Sequence, residues 1–546
     1  MTSALEHNSP KPRGHHQSEL RFHTETKILG SSGFVFAKVD EDREADPARL
    51  RAAMSAFLKC VGAIFLVLIV VVLARTLLVP SKQIKPSQHI PADIDSQSAA
   101  RHLAGSIPLQ TISYENGGTE EQKSETLRAF AGLHSYLRET FPRVYEELRP
   151  EVVGRDNLLF TWKGNDASLK PILLMAHQDV VPIEPGTEGK WTHSPFSGDI
   201  AEGHVWGRGT MDDKVTVVGL LEAVNILLVE GFQPKRTIYL AFGQDEEIGG
   251  FEGAQRIAQL LKSHAVELEF VLDEGGFISS GMVPGVSAPV AMIGTSEKGY
   301  LSLELTVDTA GGHSSVPSKE SSIGILSAAI RKIETHPMPA HVHGPIAEFL
   351  DYAGGSASFP MRIVFKNMWL FGPVVQRILE ASPDSNATLR TTAAPTIFEA
   401  GTKDNVMPSH AQAIVNFRLL PGDSVASVTE YVRQTIGDPR VKLRPIAGEP
   451  PSEPSAQSST DSPNFKQMQR TIGEVYPEAV VAPFVFVGAT DSKHYNALSK
   501  DIYRFAPLLT QPEDLARFHG TNERIGVENF ARSIDFYCQL IRNAAG

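Results

Sequence analysis

A pronounced apolar run lies near the N-terminus of the chain. The stretch Cys60–Ala74 contains no charged residue, and Lys59 and Arg75 flank it. Because the stems of such side chains can extend toward a membrane surface, a helix over Phe57–Leu78 is long enough to cross a bilayer, which takes about 20 residues. We therefore predict a transmembrane signal anchor over residues 56–79. The alternatives are a core helix and a cleaved signal peptide, and the latter fits less well because a long polar segment precedes the run.

The segments on either side of this run are polar. Residues 1–55 are rich in Pro, Gly, Ser and His and cannot bury enough apolar surface to order themselves, so we expect a disordered tail. Residues 80–104 are expected to form a linker into the folded body. Basic residues flank the run on both sides, which weakens the charge signal for orientation. We expect a cytosolic tail and a body outside the cytosol.

Beyond the linker, apolar runs alternate with a helical period. Lys214–Glu230 carries apolar side chains at helical spacing and is followed by Gly231, which is typical of a helix end. Buried strands are predicted over 157–162, 171–176, 237–242 and 269–272. This alternation predicts an α/β domain with a mostly parallel central sheet, whose first part spans 105–294. In such sheets, functional residues gather at the carboxyl ends of the strands.

The spacing of apolar and polar residues changes at about residue 295. Leu301, Leu303, Leu305 and Val307 alternate with polar residues, as in a sheet with one solvated face. Further helices and strands are predicted over 322–336, 411–420 and 424–436. We predict a smaller inserted α+β domain over 295–447, elaborated by residues 337–400, and a second part of the α/β domain over 448–546.

The composition of the chain excludes some classes of function and some kinds of metal site. A chain of 546 residues with 42% hydrophobic and 21% charged content is globular and too long for one ordinary domain. Its formal net charge of -12 gives no electrostatic footprint for nucleic acid, so we expect no nucleic-acid partner. Cys60 and Cys538 are the only cysteines, which excludes a zinc site built from several thiolates. Any metal must therefore be held by His, Asp and Glu.

Such residues recur directly after the predicted strands. A lone acid before a helix is most often a cap, and a lone His is more often a surface or core residue than a ligand. Their recurrence at successive strand ends nevertheless predicts a metal site, because adjacent carboxylates repel unless they are solvated or share a cation. The candidates are His177, Asp179, Asp212, Asp213, Glu246, Glu247, Asp273, Glu274 and His519.

The motifs around these residues resemble a known family. MAHQDVVP, GRGTMDDK, FGQDEEIGG, VLDEGG, TAGGHSSVP and RFHGTNE are similar, in order, to the signatures of the M20 family of co-catalytic zinc peptidases. The resemblance covers roughly residues 105–545 and is closest to the branch of carboxypeptidase S and its N-acyl-amino-acid hydrolase relatives. It implies a zinc-binding α/β domain interrupted by a smaller lid domain.

The resemblance also implies roles for individual residues. Asp179 would orient His177, and Glu246 would be the general base for a water molecule activated by two zinc ions. Asp273 competes with Glu274 as a ligand of the first zinc. The implied ligand sets are His177, Asp212 and Asp273 for one zinc, and Asp212, Glu247 and His519 for the other, with Asp213 as the alternative to Asp212.

Three residues of the lid are implied to face the substrate. His313 would donate to the oxyanion across a homodimer interface, although a turn histidine is its ordinary interpretation. Arg418 and Asn405 match family positions thought to face substrate. Arg418 suits a free substrate carboxylate, because a guanidinium pairs with it in bidentate fashion, and its ordinary interpretation is a solvated lid residue.

We therefore expect a single-pass membrane protein whose lumenal body is a di-zinc exopeptidase. It would release the C-terminal amino acid from Gly-Xaa-type peptides in a vacuole-like compartment. One alternative is hydrolysis of N-acyl amino acids with the same residues, and another is a non-catalytic binding protein on the same fold. The sequon Asn386-Ala387-Thr388 fits a glycosylated lumenal surface.

Overall fold

The computed structural model describes residues 47–115, 117–447 and 450–546. The chain divides into two compact units, Met1–Leu68 and Ile69–Gly546. The helices are α1 Pro47–Leu78, α2 Ser96–Ser106, α3 Glu120–Thr140, α4 Pro142–Leu148, α5 Lys214–Val229, α6 Ala254–Ser263, α7 Ser322–Thr335, α8 Pro345–Gly354, α9 Phe359–Lys366, α10 Met368–Glu380, α11 Pro383–Ala387, α12 Val425–Ile436, α13 Pro463–Val475 and α14 Val527–Ala545.

The strands form a large sheet, a smaller sheet and two short ladders. They are β1 Glu151–Val153, β2 Asn157–Trp162, β3 Ile172–His177, β4 Ile200–Ala201, β5 His204–Trp206, β6 Ile238–Gly243, β7 Val271–Asp273, β8 Ile278–Ser279, β9 Val290–Glu297, β10 Gly299–Asp308, β11 Gly312–His313, β12 Thr392–Ala400, β13 Val406–Met407, β14 His410–Leu419, β15 Lys442–Pro445, β16 Val480–Phe486, β17 Ile502–Arg504, β18 Leu509–Thr510 and β19 Arg524–Gly526.

The N-terminal apolar run is part of the long helix α1. Its stretch Ala48–Leu78 is long and apolar enough to cross a membrane by length and composition. The helix begins before the predicted anchor, so residues 47–55, which we expected in the disordered tail, are helical. The rest of that predicted tail, residues 1–46, lies outside the described residues.

The large sheet contains the central strands that position the candidate site. Within the described residues its order is β1-β2-β6-β3-β7-β17-β9-β8-β18, with β16 beside β9. The pairs β6–β3, β3–β7, β7–β17, β9–β16 and β8–β18 are parallel, whereas β1–β2, β2–β6, β9–β17 and β8–β9 are antiparallel. The sheet is thus mixed: most of its pairs are parallel, as predicted, and the sequence did not indicate the antiparallel ones. Buried strands form continuous apolar runs in either direction, so the sequence pattern does not reveal which pairs are antiparallel.

Helix α5 covers the middle of this sheet. It is apolar on almost every side because it packs between the strands and α14, so Val217, Leu221 and Val224 are all fully buried. Helix α2 belongs to the same core through Ala100 and Leu103. The packed body therefore begins at α2, inside the segment predicted to be a linker.

The smaller sheet has the order β12-β14-β10-β15 and is antiparallel throughout. Its own core contains the alternating residues predicted from the sequence, among them Leu303, which pairs with Val415. Helix α12 follows the prediction closely: Ser424 caps its first turn, and Gly437 ends it in the left-handed conformation that favours glycine.

Helices α8 and α10, which precede β12 in the chain, pack differently from our expectation. We expected residues 337–400 to elaborate the smaller domain, and β12, at the end of this range, does belong to the smaller sheet. Phe349 and Leu350 of α8, and Val375 of α10, instead belong to the core of the large sheet. Helix α8 contacts β16 at the edge of that sheet.

Candidate metal centre

Neighbouring parallel strands bring the polar strand ends to one place. His177 ends β3 and pairs with Gly243, the last residue of β6. Asp273 ends β7, the neighbour of β3 on the other side. The turn with Glu246 and Glu247 follows β6, so three loops meet at the same edge of the sheet. This is the edge at which α/β sheets place their functional residues.

Asp212 lies at the centre of the cluster. Its Oδ1 is 2.8 Å from His177 Nε2, and its Oδ2 is 3.0 Å from His519 Nε2. His519 Nε2 also lies 3.3 Å from Glu247 Oε2. Two histidines thus reach opposite oxygens of one carboxylate. This is the arrangement expected of a carboxylate that bridges two metal ions.

Asp179 holds the turn after β6 in place. Its Oδ1 accepts from Glu246 N at 3.1 Å, and its Oδ2 accepts from Glu247 N at 3.2 Å and from the Ser113 hydroxyl at 2.6 Å. The Asp179 carboxylate also lies 3.4 Å from His177 Nδ1, whose closest hydrogen-bond acceptor is the Asp179 carbonyl at 3.0 Å. Asp179 therefore positions both the histidine and the pair of glutamates.

The two acids at the end of β7 have different surroundings. Asp273 accepts from the backbone N–H groups of Glu274 at 3.0 Å and of Ser492 at 2.7 Å. Glu274, by contrast, lies with His177 and Glu246 in a group whose potential ligand atoms are within 4.8 Å of one another. A second such group contains His177, Asp212 and Glu247. The structure therefore brings Glu274 into the cluster, and Asp273 supports the loop beneath it.

The electrostatics of the cluster favour a bound cation. Burial, followed by nearby carboxylates such as Asp212, raises the pKa values of Glu247 and Glu274. Burial likewise raises the pKa of Glu246 well above its usual value. Hydrogen bonds to Asp212 and Glu247 raise the pKa of His519 to about 10. So many buried carboxylates need protons or metal ions to balance their charge.

An unused ligand atom points to the same conclusion. Glu247 Oε1 is buried without a hydrogen-bond partner among the residues that the structure describes. Such an atom is costly unless something binds it. Two histidines with several carboxylates form a donor set that fits zinc, and cobalt or manganese would fit the same ligand types. The residues present therefore fit a metal centre.

A buried ion pair joins the two loops that supply Asp212 and His519. Arg208 Nη1 contacts Glu523 Oε2, and Arg208 Nη2 donates to the His519 carbonyl at 3.0 Å. Glu523 Oε1 accepts from Gly209 N at 2.9 Å and from Met211 N at 2.8 Å. Both charged residues lie inside the motifs GRGTMDDK and RFHGTNE, yet sequence analysis assigned them no role. Their opposite charges were the signal that could have identified the pair.

We expect Glu523→Gln to lower the free energy of unfolding by about 1–3 kcal/mol, because an amide nitrogen then faces buried donors and leaves one unpaired. Urea unfolding of the metal-free protein measures this effect. Glu528→Gln is the matched control, because Glu528 is exposed on α14. Equal unfolding midpoints for the two variants would contradict the positioning role of Glu523.

The loop GATDSKHY also lies beside the centre. Asp491 is fully buried, and neither of its carboxylate oxygens has a hydrogen-bond partner among the described residues. Burial, followed by the neighbouring Asp273, raises the pKa of Asp491 well above its usual value. The sequence had marked this loop without assigning it a role.

The candidate residues of the smaller sheet lie outside this cluster. His313 is exposed on β11, where its Nδ1 is 2.8 Å from the Ser315 hydroxyl. Asn405 is exposed, and its carbonyl accepts from Ser314 N at 3.2 Å. The guanidinium of Arg418 lies 5.0 Å from the centre of the Tyr300 ring. Among the described residues, no hydrogen bond joins His313, Asn405 or Arg418 to the metal cluster.

The sequence of the chain is similar to those of known hydrolases. The sequence profile described as Peptidase family M20/M25/M40 matches residues 173–543. The chain is 41% identical to "Probable carboxypeptidase S-like 2" of Dictyostelium discoideum, with 87% of this chain and 92% of that protein covered. It is also 41% identical to "N-fatty-acyl-amino acid synthase/hydrolase PM20D1" of Xenopus tropicalis, with 91% and 96% covered.

A solved structure shows the same fold. The M20 family metallo-carboxypeptidase Sso-CP2 from Sulfolobus solfataricus superimposes with a TM-score of 0.57 at 20% identity. The match covers 81% of this chain and 98% of that one.

Proposed function

This chain belongs to Peptidase family M20/M25/M40 and is a metal-dependent peptide hydrolase, and we propose that it is a di-zinc carboxypeptidase that releases the C-terminal amino acid from Gly-Xaa-type peptides. The observation that carries this proposal is the bridging position of Asp212 between His177 and His519. Glu246, a proton acceptor, lies in the same cluster. A binding protein without catalysis would have no chemical need for that glutamate.

The described cluster provides a ligand set for two ions. His177, Asp212 and Glu274 would hold one zinc, and Asp212, Glu247 and His519 would hold the other. The sequence favoured Asp273 as the ligand; we propose Glu274 in its place because the Asp273 carboxylate already accepts from two backbone N–H groups. When bound, zinc lowers the pKa of a water molecule and polarises a carbonyl group.

Glu246 is the proposed general base. Asp179 fixes its backbone, so the carboxylate is held beside His177 rather than free in a loop. It would accept the proton of the attacking water and pass it to the departing amine. A base works best when its pKa is near the working pH, and burial raises the pKa of Glu246 from its ordinary value.

The smaller sheet is the proposed source of substrate contacts. A carboxypeptidase must bind the free carboxylate of its substrate, and we propose Arg418 and Asn405 for this task. His313 would stabilise the oxyanion. Because His313 is exposed and does not bond to the cluster of its own chain, we propose that it acts on the site of a second copy in a homodimer.

A second candidate substrate is an N-fatty-acyl amino acid. The relative from Xenopus tropicalis, named as a synthase/hydrolase of such compounds, is as similar to this chain as the carboxypeptidase S-like relative. The same cluster would cleave either amide bond, because both substrates carry a free carboxylate beside the scissile bond. The acyl side of the substrate separates the two candidates.

We also propose that α1 anchors the protein in a membrane with its body in the lumen of a vacuole-like compartment. The length and apolar composition of α1 support the anchor. The sequon at Asn386 fits a lumenal body. Protease protection of the N-terminal tail in sealed vesicles tests the orientation, and digestion of a tail that faces the lumen would contradict it.

The substrate proposal is tested with the full-length protein in detergent. We expect chelator-sensitive amine release from a blocked Gly-Leu dipeptide, restored by added zinc and faster than from a long-chain acyl-phenylalanine. Faster cleavage of the acyl compound would select the second candidate. If a zinc-loaded protein cleaves neither compound, the chain is a binding protein on the peptidase fold and the catalytic proposal is wrong.

A further inference from the structure

Helices α9 and α10 expose a row of large apolar side chains. Trp369 is 55% exposed and Ile378 is 65% exposed. Leu370, Val374 and Ile378 recur every fourth residue and therefore share one face of α10. On the other side, Val375 belongs to the core of the large sheet. The outer face of this helix is thus apolar although its inner face is already packed, and such patches commonly mark interaction sites.

The same helices are bonded to the end of α1. Asn367, at the junction of α9 and α10, donates to the Val72 carbonyl at 3.2 Å and to the Thr76 hydroxyl at 3.0 Å. Arg75 Nε donates to the Lys366 carbonyl at 3.4 Å. These contacts lie within one compact unit. If α1 crosses a membrane, its last turns mark the membrane surface, and the junction lies at that level.

The exposed tryptophan is attached to this junction. Trp369 Nε1 donates to Asn367 Oδ1 at 3.3 Å, and Asn367 is completely buried. Tryptophan is enriched at membrane interfaces, where its ring meets the acyl region and its N–H stays polar. The position of Trp369 beside the last turns of α1 matches that preference.

The charges of the segment suit a phospholipid surface. Residues 359–380 include Arg362 and Arg377 besides Lys366, which is buried and paired with Asp351 at 2.7 Å, and they contain only one acid, in a chain whose net charge is -12. That acid, Glu380, is paired with Arg390 at 3.1 Å. Arg377 is exposed one turn after Val374, beside the apolar row, where it can reach lipid phosphates. Basic and apolar residues on one helix are typical of helices that lie in the interface.

The connection between α1 and the body is also fixed. Gln83 exchanges two hydrogen bonds with the backbone of Val481, at 2.8 and 2.9 Å. Farther along, Ile90 N donates to Gln539 and Ala92 N donates to Asp535, each at 3.0 Å. The segment predicted to be a linker therefore runs bonded along the body. The bonded segment leaves no free linker between the end of α1 and the body.

We propose that the outer faces of α9 and α10 lie in the headgroup region of the bilayer that α1 crosses, so that phospholipid covers the exposed apolar row. This inference rests on the proposed membrane insertion of α1, and it goes beyond a simple anchor. It assigns the catalytic body one fixed orientation at the membrane surface. A substrate that dissolves in the bilayer would then reach the enzyme from the membrane.

The tryptophans of the chain provide the test. Trp162, Trp191 and Trp206 are buried, whereas Trp369 is exposed. The full-length protein is reconstituted into phosphatidylcholine vesicles whose acyl chains carry bromine near the headgroup end, or no bromine. The emission of Trp369 is obtained by subtracting the spectrum of Trp369→Phe. We expect bromine to lower this emission about twofold, because the ring lies at the level of the interface.

Flotation of the same vesicles separates the two proposals. Protein that floats with the vesicles and shows a quenched Trp369 supports the inference. Protein that floats but keeps full Trp369 emission overturns the inference and leaves the anchor standing, and if it also forms dimers that Ile378→Asp disrupts, a second copy covers the row. Protein that does not float overturns both the anchor and the lipid contact.

A charged variant gives an independent measurement. The double variant Val374→Asp and Ile378→Asp changes only exposed positions, so it should fold, float and hydrolyse a soluble dipeptide as the parent does. The quenching of Trp369 should nevertheless fall to less than about half, because charged groups resist the apolar interface. Val229→Asp is the matched control, since Val229 is exposed on α5 away from this row. Undiminished quenching in the double variant would overturn the inference.

Discussion

Glu246→Gln is expected to lower kcat for amide hydrolysis by about 100- to 10,000-fold, the range that a general base contributes. Gln keeps the shape of the side chain but accepts no proton from water. Asp179 contacts the backbone of Glu246, so the turn after β6 should keep its conformation in the variant. Bound zinc should therefore remain while turnover is lost.

Two measurements are needed to interpret this variant. Hydrolysis of the preferred substrate gives kcat, and metal analysis after gel filtration gives the zinc content. Glu252→Gln is the matched control, because Glu252 pairs only with the exposed Arg256 through its side chain in the described structure. Full activity of Glu246→Gln would refute the mechanism. Loss of zinc together with activity would instead make Glu246 a ligand, since it lies within the same group as His177 and Glu274.

Much of this cluster could be predicted from the sequence for a simple topological reason. His177 and Glu247 follow strands that are apolar and recognisable, and these strands are parallel neighbours in the structure. Asp212 and His519 were placed with them by family resemblance, and the structure brings all four together. Local pattern and chain order were sufficient for His177 and Glu247, whose motifs lie at the ends of buried strands, whereas Asp212 and His519 needed the resemblance.

The choice between Asp273 and Glu274 could not be made in this way. Adjacent residues at a strand end point in different directions, and the sequence does not show which direction leads to the metal. Our proposal of Glu274 rests on the N–H of Ser492, which donates to the Asp273 carboxylate from a loop more than two hundred residues later. Such a contact between distant segments leaves no trace in local periodicity.

Other differences between the predicted and the observed structure also arise from contacts between segments that are distant in the chain. The pairs β2–β6 and β8–β9 of the large sheet are antiparallel, although their buried runs look like those of parallel strands. Helix α8 packs on β16 and β9, and Val375 of α10 joins the same core, whereas chain order placed both helices with the smaller sheet. Sequence patterns identified which faces are apolar, and only the tertiary structure identifies the surface that each face covers.

The proposal that Glu274 rather than Asp273 binds zinc predicts different effects for substitutions of these two neighbouring residues. We expect Glu274→Gln to weaken zinc binding by more than about 100-fold, beyond the range typical of residues that only support a ligand. Removal of its charge should not destabilise the metal-free protein, because burial and Asp212 already raise the pKa of Glu274 well above its usual value. Zinc competition with a coloured chelator measures the affinity.

Asp273→Asn should behave in the opposite way. The Asp273 carboxylate accepts from Glu274 N and Ser492 N, and the amide nitrogen of Asn would leave one of these donors unpaired. We expect the metal-free protein to lose about 1–3 kcal/mol of unfolding free energy while its zinc affinity stays within about tenfold of the parent value. The reverse pattern, with zinc lost in Asp273→Asn and retained in Glu274→Gln, would return Asp273 to the ligand set. Because the two carboxylates are adjacent in sequence and differ only in what they contact, this pair of variants tests the contacts themselves.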